Sequence, residues 1–327
     1  MTSIPIWVPE TAKHEGIPDA PLFSIGSFSV QVYSLMIMLG YLASILTIIY
    51  FWKREKLNMD KLFVLIIITI PLGILGSRLG YIIEQLIYQD EPFKGSAWYK
   101  IWEGGLSIQG GLVVTILVDL FYVYTQRKHL DIRKAASIII PTILIGQFIG
   151  RWGNYANHEV YGKIDWSGQS SLIFGKTFAQ NMYISDALTN SMGLNGAYRY
   201  PLFLYEGLAN LVGYILIVWV INFFGIFKPG SSIGLYLIWY GLLRMAMEPL
   251  REEAYGLYQY VAIAFVVVGV LVFIYYQMWA KVKYKVEYRH KVFKFYQYQD
   301  QNAYFQYIDA TSIIHMFKKA YSYIWFK

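Results

Sequence analysis

The sequence predicts an all-α, polytopic integral membrane protein with seven transmembrane helices. Of its 327 residues, 56% are hydrophobic and only 15% are charged, whereas soluble domains carry about 25% charged residues. Apolar runs close to the roughly 20 residues that span a bilayer recur along the chain, separated by short polar segments that carry Lys and Arg. These two observations exclude an ordinary soluble domain.

Seven apolar runs have the length and composition of membrane-spanning helices. They are Val30 to Trp52, Leu62 to Tyr88, Ile108 to Tyr124, Ala135 to Trp152, Leu202 to Phe224, Ser232 to Leu250 and Tyr258 to Ala280. The residues before the first run lack the basic start and short apolar stretch of a cleavable signal peptide, so we expect them to be retained.

Basic residues between the spans predict the orientation of the chain. Most of the 28 Lys and Arg residues follow the first, third, fifth and seventh spans, and loops rich in these residues stay in the cytoplasm. We therefore expect the N-terminus outside and the C-terminus in the cytoplasm. The predicted domains are an outer arm at 1–29, a transmembrane domain at 30–280 with an outer segment at 153–201, and a basic, aromatic cytoplasmic tail at 281–327.

Composition also limits the chemistry. The chain has no cysteine, which excludes disulfides, zinc sites built on Cys and a thiol nucleophile of its own, so any thiol chemistry must use a substrate's thiol. The net charge of +7 is explained by the basic cytoplasmic loops, and we predict no nucleic-acid partner. Because the histidines lack metal-ligand spacing, we predict no metal site and no cofactor.

Several ionisable residues lie within or at the ends of the apolar spans, where charge is costly and usually marks function. At 1.5 Å rise per residue, Arg78 and Arg151 would each lie roughly 24 Å from the inner ends of their helices, in a core roughly 30 Å thick. The others also fall towards the outer side. They are Glu84, Glu206, Arg244, Glu248 and, just past the sixth span, Arg251.

These charges predict one net positive site at the depth of the outer-leaflet head groups. Arginine suits bidentate contact with phosphate, so the site fits an anionic phospholipid. The alternative is that the residues form structural Arg–Glu pairs, for example Arg244 with Glu248 four residues later. Structural pairing does not require a common depth, which favours a site.

A polar run emerges directly from the fourth span, between Gly150 and Gly162. Its glycines let the backbone approach a ligand closely, and its asparagines supply donors and acceptors without charge. We interpret it as a lipid-facing binding turn. The run resembles the signature of the prolipoprotein diacylglyceryl transferase family, G-R-x-G-N-[FY]-x-N-x-E-x-x-G, at every fixed position.

The resemblance covers about residues 25 to 280. Outside the signature it extends to Tyr33, to the stretch Gly76, Ser77, Arg78, Leu79, Gly80, Tyr81, to the segment from Gly104, Gly105, Leu106 to Gly110, Gly111, Leu112, to Pro201, Leu204, Tyr205, Glu206, and to Tyr240, Arg244, Glu248, Arg251. Two positions depart from the family pattern. Gln109 stands where many members have the histidine proposed to act on the thiol, and Tyr200 replaces the histidine of a His-Pro pair.

The resemblance implies a cofactor-free transferase of the bacterial cytoplasmic membrane, with its active site towards the outer leaflet. A substrate thiol would attack the glyceryl carbon that bears the phosphoester, a thioether would form, and glycerol phosphate would leave. The expected partners are phosphatidylglycerol, the signal peptide of a prolipoprotein with its lipobox cysteine, and membrane lipids. This reaction would be the first step of lipoprotein maturation.

The resemblance also implies the site residues. The arginines would stabilise the charge of the leaving phosphate, and the glutamates would orient them. The expected catalytic residues are Arg151, Arg244, Gln109 and Glu248. The expected substrate-binding residues are Tyr33, Arg78, Gly110, Gly111, Asn154, Asn157, Glu159, Gly162, Tyr205, Glu206, Tyr240 and Arg251.

Two other classes and one other base remain open at this point. A transporter or lipid flippase also places charges inside a helix bundle, but such proteins usually show internal repeats and central sites. An acyltransferase would need a pattern such as Ser-His-Asp, which the chain lacks. His158, beside Glu159, is an alternative base, although an ordinary exposed loop histidine is the simpler interpretation.

Overall fold

The computed structural model describes residues 5–25, 28–89, 92–93, 98–99, 105, 107–252, 256–313 and 315. The described part is mostly helical. Its α-helices are α1 Val32–Arg54, α2 Met59–Tyr88, α3 Ile108–Thr125, α4 Ile132–Ile139, α5 Ile143–Ala156, α6 Gln169–Leu172, α7 Lys176–Asn181, α8 Ala187–Ser191, α9 Leu202–Tyr214, α10 Ser231–Met247, α11 Gly256–Ile274 and α12 Gln301–Ala310.

Five helical segments of the described part are long and apolar enough to cross a membrane: Val32–Arg54, Met59–Tyr88, Ile132–Ala156, Leu202–Asn222 and Gly256–Trp279. The helices at the third and sixth predicted spans, α3 and α10, have 18 and 17 residues. The prediction of a helical, multi-pass membrane protein is confirmed.

Local chemistry explains where several helices begin and bend. The Asn58 side chain caps α2 by accepting hydrogen bonds from the backbone N–H groups of Asp60 and Lys61, at 2.8 and 3.4 Å. Pro141 lies in a short 3₁₀ turn, Ile140–Thr142, between α4 and α5, because proline cannot donate the backbone hydrogen bond of a continuous helix. A π-helical stretch, Ile215–Asn222, continues α9.

The described part also contains three small sheets that the sequence did not predict. The strands are β1 Lys13–His14, β2 Phe23–Ile25, β3 Phe28–Val30, β4 Tyr183–Ser185, β5 Ala197–Tyr198, β6 Tyr284–Arg289 and β7 Phe293–Tyr298. In the first sheet, β1 lies parallel to β4, and β4 is antiparallel to β5. This sheet joins the N-terminal arm to the segment that follows α5. The other two sheets are the antiparallel pairs β2–β3 and β6–β7.

The chain divides into two compact units. The first unit comprises Met1–Tyr50 and Ala136–Gln299, and the second comprises Phe51–Ala135 and Asp300–Lys327. Both units are therefore built from segments that are distant in the sequence. The predicted division into an outer arm, a transmembrane domain and a cytoplasmic tail is defined by location relative to a membrane. This division stays a prediction.

Small residues allow close helix contacts inside each unit. In the first unit, a Cβ added to Gly40 of α1 would lie 3.0 Å from the carbonyl oxygen of Gly146 in α5. In the second unit, α2 and α3 approach at Gly80 and Gly110, where a Cβ on Gly80 would lie 2.7 Å from the Gly110 Cα. These helix pairs therefore have no room for a larger side chain at the contact points.

The predicted tail is folded against helix-connecting segments in each unit. The β6–β7 hairpin belongs to the first unit, where the Tyr296 hydroxyl donates to the carbonyl of Gly225 at 3.0 Å and Phe293 stacks on Phe224. Helix α12 belongs to the second unit, where the Tyr304 hydroxyl donates to the carbonyl of Arg127 at 2.9 Å. Aromatic residues of the tail thus pack against other parts of the protein, in addition to any contact that they make with a membrane leaflet.

Gly80→Ala tests the close contact between α2 and α3. Forcing a methyl group against the backbone lowers the free energy of unfolding by about 1–3 kcal/mol. Each kcal/mol lost lowers the midpoint of thermal unfolding by about 2–4 °C. The control is Gly256→Ala, because a Cβ at Gly256 would lie within 4 Å of no atom of the described residues. Circular dichroism in detergent would measure both midpoints, and equal midpoints for the two variants would contradict the contact.

Candidate active site

A buried carboxylate gathers three arginines in the first unit. Glu206, in the second turn of α9, is 1% exposed. It forms an ion pair with Arg151 of α5, and its Oε1 lies 2.6 Å from Arg251 Nη2 and 3.8 Å from Arg244 Nη1. Because an unpaired charge at this depth would be very costly, Glu206 fixes the end of α5, the start of α9 and the end of α10 relative to each other.

A second carboxylate completes the cluster. Arg244 Nη2 lies 3.0 Å from Glu248 Oε2, and Arg251 Nε lies 3.6 Å from the same oxygen. Helix α10 ends at Met247, and a short 3₁₀ turn, Glu248–Leu250, follows with Pro249 inside it. This turn brings Arg251 back to the carboxylates that Arg244 contacts. The contact of Arg244 with Glu248, the example named for the structural alternative, is present.

The cluster, defined as Arg151, Glu206, Arg244, Glu248 and Arg251, has three guanidinium groups and two carboxylates. It therefore carries one excess positive charge. The Nε atoms of Arg151 and Arg251 are buried and have no hydrogen-bond partner in the described part of the chain. Buried donors normally find acceptors, so the cluster has the charge and the free donors to bind an anion.

The signature turn is joined to this cluster by side-chain hydrogen bonds. Arg151 Nη1 donates to Asn154 Oδ1 at 3.3 Å, and Asn154 Nδ2 donates to Glu159 Oε2 at 3.2 Å. Asn157 Nδ2 lies 3.4 Å from Glu159 Oε1, to which it donates. The sequence motif thus forms one polar network that continues from the arginine cluster.

The backbone of the turn is held in an unusual conformation. His158 and Val160, on either side of Glu159, have φ angles of 54° and 57°, a region that non-glycine residues rarely occupy and that tends to occur at functional sites. The Glu159 N–H donates to the Asn154 carbonyl at 2.9 Å, which closes the turn. Strain here is consistent with a turn built to present side chains.

Two glycines of the signature permit close packing. A Cβ on Gly153 would lie 2.8 Å from Cδ2 of Tyr33, so the predicted Tyr33 of α1 packs directly on the signature helix. A Cβ on Gly162 would lie 2.9 Å from the Leu250 carbonyl oxygen. Because Gly162 has no side chain, the backbone at this position can pass close to the turn that carries Glu248.

His158 is buried, which corrects the simpler interpretation of an exposed loop histidine. It is 2% exposed, and its Nε2 lies 3.6 Å from Asp19 Oδ1 of the N-terminal arm. Burial lowers the pKa of His158, although the charge of Asp19 opposes the effect. Lys13 binds Asp19 at 2.5 Å, so the arm is tied to the signature turn through these three residues.

Two predicted tyrosines occupy the helices of the cluster without a hydrogen bond to it. Tyr205 precedes Glu206 in α9, and its hydroxyl makes no hydrogen bond within the described residues. Tyr240 lies one turn before Arg244 in α10 and contacts the rings of Tyr236 and Phe265, at 6.1 and 5.3 Å between centroids.

The second unit holds the other predicted residues. Arg78 of α2 is buried; its Nε donates to the carbonyl of Trp98 at 2.7 Å, and its Nη1 donates to the carbonyl of Gly105 at 2.8 Å. Its guanidinium also lies over the Tyr81 ring at 4.9 Å. Arg78 therefore holds the segment that precedes α3.

Gln109 lies at the start of α3, where Ser107 caps the helix. The Ser107 hydroxyl donates to Glu84 Oε1 at 2.5 Å and lies 3.1 Å from the side-chain oxygen of Gln109. Gly110 packs on Gly80, and a Cβ on Gly111 would collide with the Ser77 side chain. Gly104 and Leu106 of the same predicted segment lie outside the described residues.

One buried charge group was missed by the sequence reasoning. Arg199 is 0% exposed and forms ion pairs with Asp186 and Glu252. The Tyr161 hydroxyl donates to Asp186 Oδ2 at 3.0 Å, and the Arg199 guanidinium lies over the Tyr161 ring. Burial raises the pKa of Asp186, but the Thr189 backbone N–H and the Arg199 charge outweigh it, and the pKa is lowered. The only feature of the sequence that could have indicated a buried role for Arg199 was its position close to Pro201 and Glu206.

Comparison with known proteins identifies the family. A family model described as prolipoprotein diacylglyceryl transferase matches residues 20–275. The chain belongs to the prolipoprotein diacylglyceryl transferase family. The resemblance inferred from the signature is thus confirmed, and the match runs from before α1 to the end of α11.

Curated relatives of the family are similar over most of the chain. A protein of Mycoplasmopsis pulmonis (strain UAB CTIP), named phosphatidylglycerol–prolipoprotein diacylglyceryl transferase, is 52% identical over 271 residues, 82% of this chain and 83% of the relative. A protein of the same name from Streptococcus pneumoniae (strain ATCC 700669 / Spain 23F-1) is 31% identical over 262 residues, 79% of this chain and 94% of the relative.

Glu206→Gln tests the buried cluster. Removing one partner of a buried ion pair costs about 3–5 kcal/mol, so we expect a large fall in the thermal unfolding midpoint of the purified protein. Asp309→Asn is the matched control, because Asp309 pairs with Lys128 at 3.1 Å with both side chains at least 60% exposed, and exposed pairs are worth about 0–1 kcal/mol. Similar losses in the two variants would contradict the role of Glu206.

His158→Gln tests the buried histidine through pH. Because burial lowers the pKa of His158, the unfolded chain takes up its proton at a higher pH than the folded chain, and stability falls as the pH drops below about 6.5. We expect His158→Gln to flatten this loss between about pH 7 and pH 5.5. His129→Gln is the control, since His129 is exposed. An unchanged pH slope of the unfolding midpoint in His158→Gln would overturn the assignment.

Proposed function

We propose that the chain transfers the diacylglyceryl group of phosphatidylglycerol to the lipobox cysteine of prolipoproteins, the first step of bacterial lipoprotein maturation. The observation that carries the proposal is the junction of the family signature with the cluster, through Arg151 and Asn154. The relatives named for this reaction support it. The reaction needs a phosphate site, and the cluster has one excess positive charge.

The reaction forms one bond and breaks one. The cysteine sulfur attacks the glyceryl carbon, a C–S bond forms, and the C–O bond to the phosphate breaks with its electron pair going to glycerol phosphate. Negative charge grows on the departing phosphate, and preorganised guanidinium groups stabilise growing charge in a transition state. Arg151 and Arg244 take this role, while Glu206 and Glu248 orient them.

The thiol must lose its proton. A free thiol has a pKa of about 8.5, and nearby positive charge lowers it, so the excess charge of the cluster favours the thiolate. Gln109 cannot act as a base because its amide does not take up a proton near neutral pH. In this proposal Gln109 orients a substrate by hydrogen bonding, and Glu84, joined to it through Ser107, is a proton acceptor in the same unit.

The signature turn forms the head-group pocket of the proposed site. Asn154, Asn157 and Glu159 present donors and acceptors, and Tyr33 packs against the helix that carries them. Further substrate-binding roles fall to residues in and around the cluster and to residues of α2 and α3. These are Arg78, Gly110, Gly111, Gly162, Tyr205, Tyr240 and Arg251.

The proposed setting is the bacterial cytoplasmic membrane, crossed seven times. The outer arm is residues 1–29, the catalytic domain is residues 30–280, and the cytoplasmic tail is residues 281–327. The basic loops support a cytoplasmic C-terminus. The cluster then lies towards the outer leaflet, where a prolipoprotein presents its lipobox cysteine after its signal peptide has entered the membrane.

Arg151→Ala and Arg244→Ala test the proposal directly. The purified protein would receive phosphatidylglycerol and a lipobox peptide, and mass spectrometry would measure the thioether product. We expect each variant to lose roughly a hundred- to a thousandfold in rate, the loss seen when a charge-stabilising donor is removed. Arg289→Ala, in the β6–β7 hairpin, should retain the wild-type rate.

A peptide with Ser in place of Cys should give no product with any variant. Transfer to that peptide would contradict the thiol chemistry. Wild-type rates in both Arg151→Ala and Arg244→Ala would refute the assigned roles, and a folded wild-type protein without product would refute the proposed reaction.

A further inference from the structure

A cavity of about 270 Å³ opens in the first unit beside the cluster. Arg244, Glu248 and Arg251 of the cluster line it, and so do Glu15 and Glu252. Six of its eleven lining residues are ionisable carboxylates or guanidiniums. A bound acyl chain or apolar lipobox side chain would strip water from these charges without replacing it, which is costly.

Two groups of ion-paired residues in the first unit contribute side chains to the cavity, and their excess charges have opposite sign. The cluster has one excess positive charge, as counted above. In the second group, Arg199 pairs with both Asp186 and Glu252, so this group carries one excess negative charge before Glu15 is added. A ligand that is anionic at one end and rich in hydrogen-bond donors at the other satisfies both groups.

Glu15 reaches this cavity because the N-terminal arm is built into the first unit. Strand β1 pairs with β4 in the register His14 with Ser185, which places the next residue, Glu15, beside Asp186. Burial, followed by the charges of Asp186 and Glu15, raises the pKa of Tyr161, as expected for two carboxylates that face its hydroxyl. Glu15 also lies before the family match, which begins at residue 20.

We infer that Glu15 selects the head group of the lipid substrate: its carboxylate accepts hydrogen bonds from the glycerol hydroxyls while the phosphate lies against Arg244 and Arg251. The inference rests on the proposed function and adds to it the part of the chain that recognises the glycerol. Carboxylates accept hydrogen bonds from hydroxyls readily, and such charge-assisted bonds are stronger than neutral ones. Inorganic phosphate lacks these hydroxyls and does not use Glu15.

Direct binding tests the inference without depending on transfer. Calorimetric titration of the full-length protein in detergent would compare glycerol phosphate with inorganic phosphate, for the wild type, E15Q and E10Q. We expect E15Q to weaken the binding of glycerol phosphate about three- to tenfold, because a neutral amide accepts a weaker hydrogen bond than a carboxylate. Binding of inorganic phosphate should stay at the wild-type value. Glu10 is an exposed residue of the same arm, and E10Q should match the wild type with both ligands.

Each other outcome overturns the inference. Equal weakening of both ligands in E15Q would mean that Glu15 supports the phosphate site or the fold, and unchanged binding of both would mean that it recognises neither. Tighter binding of phosphoethanolamine than of glycerol phosphate by the wild type would mean that the carboxylates bind an ammonium group. The transfer assay with the wild type separates these results from a failure of the proposed reaction.

Discussion

The first unit depends on a single buried carboxylate. Glu206 is almost completely removed from solvent and contacts guanidinium groups from α5, α10 and the turn that follows α10. A charge in this position is tolerated only with its partners in place, so the end of α5 and the end of α10, which are far apart in the sequence, must converge on the start of α9. The same convergence brings the signature turn, which begins at Arg151, to the cavity wall formed by Arg251. Fold and candidate site therefore share one set of interactions.

Much of this arrangement could be predicted from the sequence because it follows from simple patterns. Apolar runs predicted the helices, and the spacing of Arg244 and Glu248 along one helix predicted their contact. The grouping of Arg151, Glu206 and Arg251 followed from the rise per residue of a helix. The turn at Pro249, which brings Arg251 back to Glu206, was not part of that prediction, because it depends on the end of α10.

The outer segment could not be predicted in the same way. Burial of His158 and Arg199 arises from contacts with residues far away in the sequence, Asp19 for the first and Glu252 for the second. A polar residue between two spans looks exposed when composition is the only guide. The strands β1, β4 and β5 are two or three residues long, too short to show an alternating pattern, and their pairing joins the arm to the segment after α5.

The excess charge of the cluster bears on both halves of the proposed chemistry. A guanidinium group that binds the phosphate of a lipid also favours the thiolate form of a cysteine that approaches it. One group of residues can thus activate the nucleophile and stabilise the leaving group, which lessens the need for a separate base. The same charge offers a physical account of how this chain can work with Gln109 at the position where the resemblance led us to expect a histidine. A third carboxylate in the cluster would cancel this excess charge, on which both proposed effects depend.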